Sequence, residues 1–210
     1  MKKLYTIFLL MFALALNSVS AQNDPNAKKV LDEVSAKVKS FKGISTGFSI
    51  KQLTSKGKDN GTKSGTISIK GQRYVLKQGK MEVVSDGSKI YNFDGSKTIT
   101  VSAADEPGQS LTPQKIMSGA YDKDFSYKLI SSKGGFHEIE LRPLDNRKNF
   151  QKVNIFVDKS KSLITKAVIL DKSNNTLVVT FSNLKTNADL PDSYFVFNRS
   201  KYPKDVEILD

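Results

Sequence analysis

The sequence predicts a mainly β chain with few helices, in which about eleven antiparallel strands form one sheet that curls and either closes into a barrel or wraps the helices as plugs. Three observations carry this. The hydrophobic period is helical over residues 26–42 and changes to two from residue 44 onward. Turn signals then recur every 8–12 residues or so, the spacing of an all-β fold. Only one further stretch, 112–117, starts like a helix.

The first residues read as a leader. Met1-Lys2-Lys3 is basic, Leu4 to Leu16 is an apolar run of 13 residues, and Val19 and Ala21 are small residues before a cut after Ala21. A spanning helix needs about 20 apolar residues, so the run predicts a cleaved signal peptide over 1–21 and an exported chain. Removing 21 of 210 residues leaves 189, enough for a single domain over 22–210.

Next comes the first helix. Ala27, Val30, Leu31, Val34, Val38 and Phe41 share one face, Asp24 suits the N-cap, Pro25 suits the first turn, and Gly43 suits the stop. Strands follow at 48–51, 66–70 and 73–77, split by glycines at 57–61, 71 and 79. Then Asp-Gly-Ser-Lys occurs twice, at 86–89 and 94–97. Glycine accepts positive φ and aspartate bonds its own backbone, so each copy predicts a hairpin turn in a three-strand meander. Residues 103–108 predict a loop, and Thr112-Pro113 caps the short helix. Strands resume at 126–130, 136–141, 153–157, 164–170, 176–181 and 194–197.

Composition narrows the function. The chain has no cysteine, so it carries neither disulfides nor a lipid-anchoring thiol. Its formal charge is +12, or +10 without the two leader lysines. The lysines are scattered and no nucleic-acid motif is present, so nucleic acid is not expected as a partner; weak attraction to anionic lipid headgroups is. Polar chemistry is thin. The single histidine, His137, neighbours Glu138, but strand neighbours point to opposite faces, and alternation with Phe136 predicts that His137 faces solvent. No metal spacing, nucleophile elbow or phosphate loop occurs, and the aspartates of the two turns are accounted for by the turns. Asp158–Ser162 carries lysines where a calcium loop needs carboxylates. The expectation is a protein without catalysis, metal or cofactor.

What remains is apolar surface. Phe48, Ile50, Ile67, Ile69, Tyr74, Leu76, Met81, Val83, Tyr91, Phe93, Ile99 and Val101 are expected to share one concave face, with Ile116 and Met117 facing it from the short helix. Such a stripe is most often plain core. A curled sheet with so little helix to fill it would instead leave a cavity for a hydrophobic ligand, lined by these residues.

The order of several motifs resembles one family, the periplasmic outer-membrane lipoprotein carriers of the LolA type. They are the helix ending in Phe41, Phe48 on the first strand, the segment Ser85 to Phe93, Thr112-Pro113, Phe195-Val196-Phe197, and Tyr202-Pro203-Lys204-Asp205-Val206. Tyr91 and Phe93 stand where the family usually has tryptophan and tyrosine. The resemblance implies an incomplete antiparallel β-barrel with helices as a lid over an apolar cavity. It implies a carrier that binds acylated lipoproteins, receives them from an inner-membrane lipoprotein-releasing transporter and hands them to an outer-membrane acceptor, acting as a monomer. Many carriers have an Arg-Pro pair after the strand matching 66–70, whose arginine helps hold the lid shut. Here Gly71-Gln72 stand there, and strand alternation sends the shifted Arg73 to the other side. Relatives of this fold also bind other lipids or sense envelope stress. The sensor form has a second domain, for which 189 residues are too few. On this reading Phe48→Glu or Phe93→Glu abolishes cargo uptake while folding survives.

Overall fold

The computed structural model describes residues 23–104 and 111–210. The leader and most of the predicted loop at 103–108 lie outside the described residues. The chain forms α1 (Pro25–Lys39), then β1 (Ile44–Leu53), β2 (Asp59–Lys70), β3 (Arg73–Gln78), β4 (Met81–Ser85), β5 (Lys89–Phe93) and β6 (Thr98–Ala103). After α2 (Pro113–Met117) come β7 (Phe125–Ser131), β8 (Phe136–Pro143), β9 (Phe150–Asp158), β10 (Leu163–Asp171) and β11 (Thr176–Thr186). Two 3-10 turns, Asp192–Phe195 and Arg199–Lys201, lead to β12 (Glu207–Leu209).

The helix starts follow their sequence signals. Asp24 accepts from the Asn26 and Ala27 amides at 2.8 and 3.4 Å, and Thr112 accepts from the Lys115 amide at 3.1 Å, each satisfying amides that no helical carbonyl reaches. α1 ends at Ser40 rather than at Gly43. Gly43 serves a close crossing: its carbonyl accepts from Ala188, and a Cβ there would stand 2.8 Å from the Ala188 oxygen. Both repeated turns form as predicted. The Asp86 carboxylate accepts from Ser88 and Lys89 at 2.8 Å each, and that of Asp94 from Ser96, Lys97 and Thr98 at 2.7, 3.0 and 3.2 Å. The Asp158 carboxylate is held the same way by Ser160 and Lys161.

The twelve strands make one sheet in the order β12-β6-β5-β4-β3-β2-β1-β11-β10-β9-β8-β7, one more strand than predicted. Every pairing is antiparallel except that of β12 with β6. The central joint is β1 with β11, which carries a bulge between Ser45 and Gly47. The buried Thr46 hydroxyl donates to the Ser182 carbonyl there at 2.7 Å, and a bulge of this kind adds twist. The sheet stays open, since its edges β12 and β7 do not pair with each other. The β7 edge is blunted by the start of α1. Its Tyr127 and Leu129 amides donate to the side chains of Asn23 and Asp24, at 3.0 Å each.

α1 packs on β7 and β10, and α2 packs on β10 and β2. Between them and the sheet lies the main core, including Phe48, Ile67, Ile139, Leu141, Ile155 and Phe181. A second, smaller core occupies the other face of the sheet. There Val75 and Val84 are covered by Phe195, with Tyr91, Leu190 and Tyr194 around them.

That second core explains one correction. The predicted strand at 194–197 is absent. Pro191 precedes a 3-10 turn, and this C-terminal segment crosses the convex face as a strap held by side chains. Arg199 clamps its end, donating to the carbonyls of Pro203, Lys204 and Val206 at 2.7–3.0 Å.

Candidate functional site

Register decides which side chains share the concave face. Ile69 faces Tyr74 and Ile67 faces Leu76 across β2 and β3, and Leu76 then faces Val83 across β4. At the first Asp-Gly-Ser-Lys turn the closing pair is Ser85 with Ile90, which places Val83 opposite Asn92 and Val84 opposite Tyr91. A four-residue loop thus exchanges the faces, and Ile90, not Tyr91, joins the concave side. The next pairs, Tyr91 with Val101 and Phe93 with Ile99, stay on the convex side.

Ten of the fourteen expected lining residues therefore lie on the concave face or the helix above it, and four do not. Tyr91, Phe93, Ile99 and Val101 lie on the convex face. Tyr91 stacks on Phe197, with ring centroids 4.3 Å apart, and Phe93 meets Tyr202 edge-on at 5.1 Å. The Tyr202 hydroxyl donates to Glu82 at 2.7 Å. On the concave side, Phe48, Ile67 and Ile116 are buried in packed core, Ile50, Leu76 and Val83 flank it, and Met81 remains 39% exposed.

A cavity of about 1000 Å³ opens beside that core, under the end of α1 and the start of α2. Its apolar wall comes from Val38 in the last turn of α1 and Phe41 just after it, Ile44, Ile69, Tyr74 and Ile90 on the first half of the sheet, Leu111 and Met117 around α2, and Phe125 and Phe150 on the second half. Of the expected lining, Ile69, Tyr74 and Met117 border this space. Val38 and Phe41 were legible on the helical face, whereas Phe125 and Phe150 were missed because they sit on strands far along the chain that only the curl brings round. Burial pushes the Tyr74 phenol up to about 12, so it stays neutral as an apolar wall residue.

The rim is polar. Gln72, Gln114, Lys39, Lys115, Lys123 and Lys148 border the cavity together with Asp124 and Asp145, and Leu144 stands there 62% exposed. Lys115 pairs with Asp124 at 2.6 Å. Arg147 makes a two-pronged contact with Asp145 at 2.9 Å and holds its carboxyl down to about 2.

The cover is one connected piece. Gly119 has φ +66° and lies so close to α1 that a Cβ would come within 2.9 Å of the Val34 side chain and the Ser35 nitrogen. Lys28 on α1 bridges Asp32 at 2.9 Å and Asp122 at 3.3 Å, and Asp122 accepts from the Tyr127 hydroxyl at 2.6 Å. The Tyr121 hydroxyl donates to the Ile116 carbonyl, tying the loop back to α2. Arg73 takes no part. On the convex face it pairs with Asp192 at 3.0 Å and lies 5.5 Å from the Phe195 ring centre.

His137 corrects another expectation. Its partner across β9 is Val157, a core residue, so it lies on the concave side and is half-buried, while Phe136 is the exposed neighbour. Its ring bonds Ser132 at 2.7 Å. Burial first, then nearby Lys159, lowers its pKa and favours the neutral ring. Among the described residues no group of three or more histidines, aspartates and glutamates is placed to hold a metal.

With this geometry, comparison with known proteins is informative. The family model described as "Outer membrane lipoprotein carrier protein LolA" matches residues 39–198. An outer-membrane lipoprotein carrier protein of Pseudomonas entomophila is 27% identical over 207 residues, which cover 96% of each chain. That of Bordetella avium is 24% identical over 184 residues, covering 85% of this chain and 86% of its own. An uncharacterized conserved protein of Thermus thermophilus superposes with a TM-score of 0.58 at 11% identity, covering 88% of this chain and 98% of its own, and so shares the fold.

Proposed function

The chain belongs to the LolA family of outer membrane lipoprotein carriers, and from that premise we propose that it binds the acyl chains of lipoproteins in the cavity under α1 and α2 and carries them across the periplasm. The observation that supports this reading most directly is the cavity of about 1000 Å³, to which both helices and both halves of the sheet contribute apolar side chains. That volume is at the upper end of ordinary ligand sites, about 300–1000 Å³. Each methylene moved out of water contributes about 0.8 kcal/mol, so long acyl chains are driven strongly into such a space. Met117 and the aromatic and branched residues around it conform to a chain without demanding one length.

The carrier receives cargo from an inner-membrane transporter and yields it to an outer-membrane acceptor. No bond is made or broken; transfer needs only an acceptor that buries the chains better, and a cover that can be displaced. Release of cargo exposes the wall again, which the connected α1–α2 cover limits.

Native mass spectrometry of the protein purified from its host's envelope tests this. A bound triacylated peptide is the expected result. A bound free lipid would move the function to lipid transport on the same fold. An empty protein that also admits no apolar dye would refute the carrier reading.

A further inference from the structure

Glycine follows an aspartate or asparagine at three places in the chain, Asn60-Gly61, Asp86-Gly87 and Asp94-Gly95. Such pairs share a chemical weakness. With no Cβ on the second residue, its backbone nitrogen reaches the side-chain carbonyl of the first and closes a five-membered ring. The fold treats the three pairs differently. The Asp86 and Asp94 carboxylates are held by amides of their own turns at 2.7–3.2 Å, so ring closure there first breaks two or three hydrogen bonds. A carboxylate is also a poorer electrophile than an amide.

Asn60 has no such restraint. It is exposed, and among the described residues its side chain makes no hydrogen bond. Its backbone is loosely held as well. Lys51 faces Thr62 and Leu53 faces Asp59 across β1 and β2, so Asn60 and Gly61 together stand opposite Gln52 as a bulge. Gly61 has φ +98°, and its amide donates to the Asp59 carboxylate at 2.9 Å in an exposed contact. On the other side, β3 pairs only with Thr66–Lys70, so no strand covers residues 59–64. The peptide can turn toward ring geometry by breaking one exposed hydrogen bond, which is worth little net in water, without unzipping β2 from a second neighbour.

We propose that Asn60 is a modification site, at which the folded protein loses the side-chain amide through a succinimide formed with Gly61 and becomes a mixture of aspartate and isoaspartate. Solvent hydroxide takes the proton of the Gly61 nitrogen, that nitrogen bonds to the Asn60 Cγ, and the side-chain nitrogen leaves as ammonia with a proton from water. Water then opens the ring at either carbonyl. The net change consumes one amide and one water and yields a carboxylate and an ammonium ion, with no oxidant or cofactor. The product adds a negative charge to the β1–β2 hairpin, and isoaspartate adds a backbone methylene where the bulge has already interrupted regular pairing. Neither residue borders the cavity, so the modification stands apart from the carried ligand.

The folded protein is held at mildly alkaline pH, sampled over days, digested and mapped by mass spectrometry with fragmentation that separates aspartate from isoaspartate. A second sample is held in guanidinium. Amide loss is expected at Asn60 ahead of every other asparagine, with both products present, at a rate that rises with pH and lies within a few-fold of that of the unfolded chain. The Asn60→Gln variant, whose longer side chain cannot close the five-membered ring, is expected to keep its amide over the same period. An Asn60 amide that persists in the folded sample while the guanidinium sample loses it overturns the proposal, because β2 then holds the residue out of ring geometry. Equal loss in Asn60→Gln overturns the succinimide route.

Discussion

Phe93→Ala separates the two faces of the sheet. The sequence pattern assigns this ring to the ligand face, whereas the register places it under the C-terminal strap. Truncating a fully buried phenylalanine costs about 3–5 kcal/mol. Phe93 is half-buried, which reduces this to about 2 kcal/mol. Its edge contact with Tyr202 at 5.1 Å adds about 1 kcal/mol beyond area. The sum, about 3 kcal/mol, lowers Tm by roughly 6–12 °C in a chain of this size. In urea, with a slope of about 2 kcal/mol/M, the midpoint falls by about 1.5 M. Uptake of an apolar dye by the folded variant should match the parent, because Phe93 does not border the cavity. Met117→Ala, at the cavity wall, is the contrasting variant and changes dye retention. If Phe93→Ala loses the dye while its urea midpoint stays put, the face assignment is wrong.

Gly65→Ala should destabilise by about 2 kcal/mol or more, since the new Cβ would sit 2.1 Å from the Lys77 carbonyl oxygen and 2.7 Å from the Phe48 ring, and the strands must part to admit it; equilibrium unfolding checks this. Gly119→Ala meets both a positive φ of 66° and the backbone of α1, so amide exchange in α1 and α2 should accelerate together; acceleration in only one helix would show that the cover is not a single piece. Tyr74 titrates at about 12 in the native protein against about 10 when unfolded, because burial disfavours its phenolate. Folding therefore binds this proton more tightly. The stability linked to it is complete below pH 10 and is lost as pH rises from 10 to 12. Tyr74→Phe should flatten that part of the alkaline limb of a stability-against-pH curve, though not all of it, since Tyr127 is also raised to about 12.

Much of this protein is decided within short windows of sequence. The apolar period of 26–42, with Asp24 and Thr112 as caps, specifies two amphipathic helices because capping and side-chain spacing act over single turns. The paired Asp-Gly-Ser-Lys turns follow from glycine's freedom and aspartate's reach to its own backbone, and they form as written. Alternation likewise determines that Ile67, Ile69, Tyr74 and Leu76 share a face. Alternation does not say how faces join across a turn. The pair Ser85–Ile90 rather than a neighbouring pair closes the first repeat, and that one-residue choice sends Tyr91, Phe93, Ile99 and Val101 outward. The outward face is apolar too, because the strap at 190–206 covers it, so hydrophobicity marks both faces of β5 and β6 alike. The cavity depends on still longer range. Phe125 and Phe150 meet Ile69 and Tyr74 because twelve strands twist in one direction and bring the two halves of the sheet under the same helices. Local chemistry thus determines which elements exist, and tertiary packing determines which of their faces enclose the space.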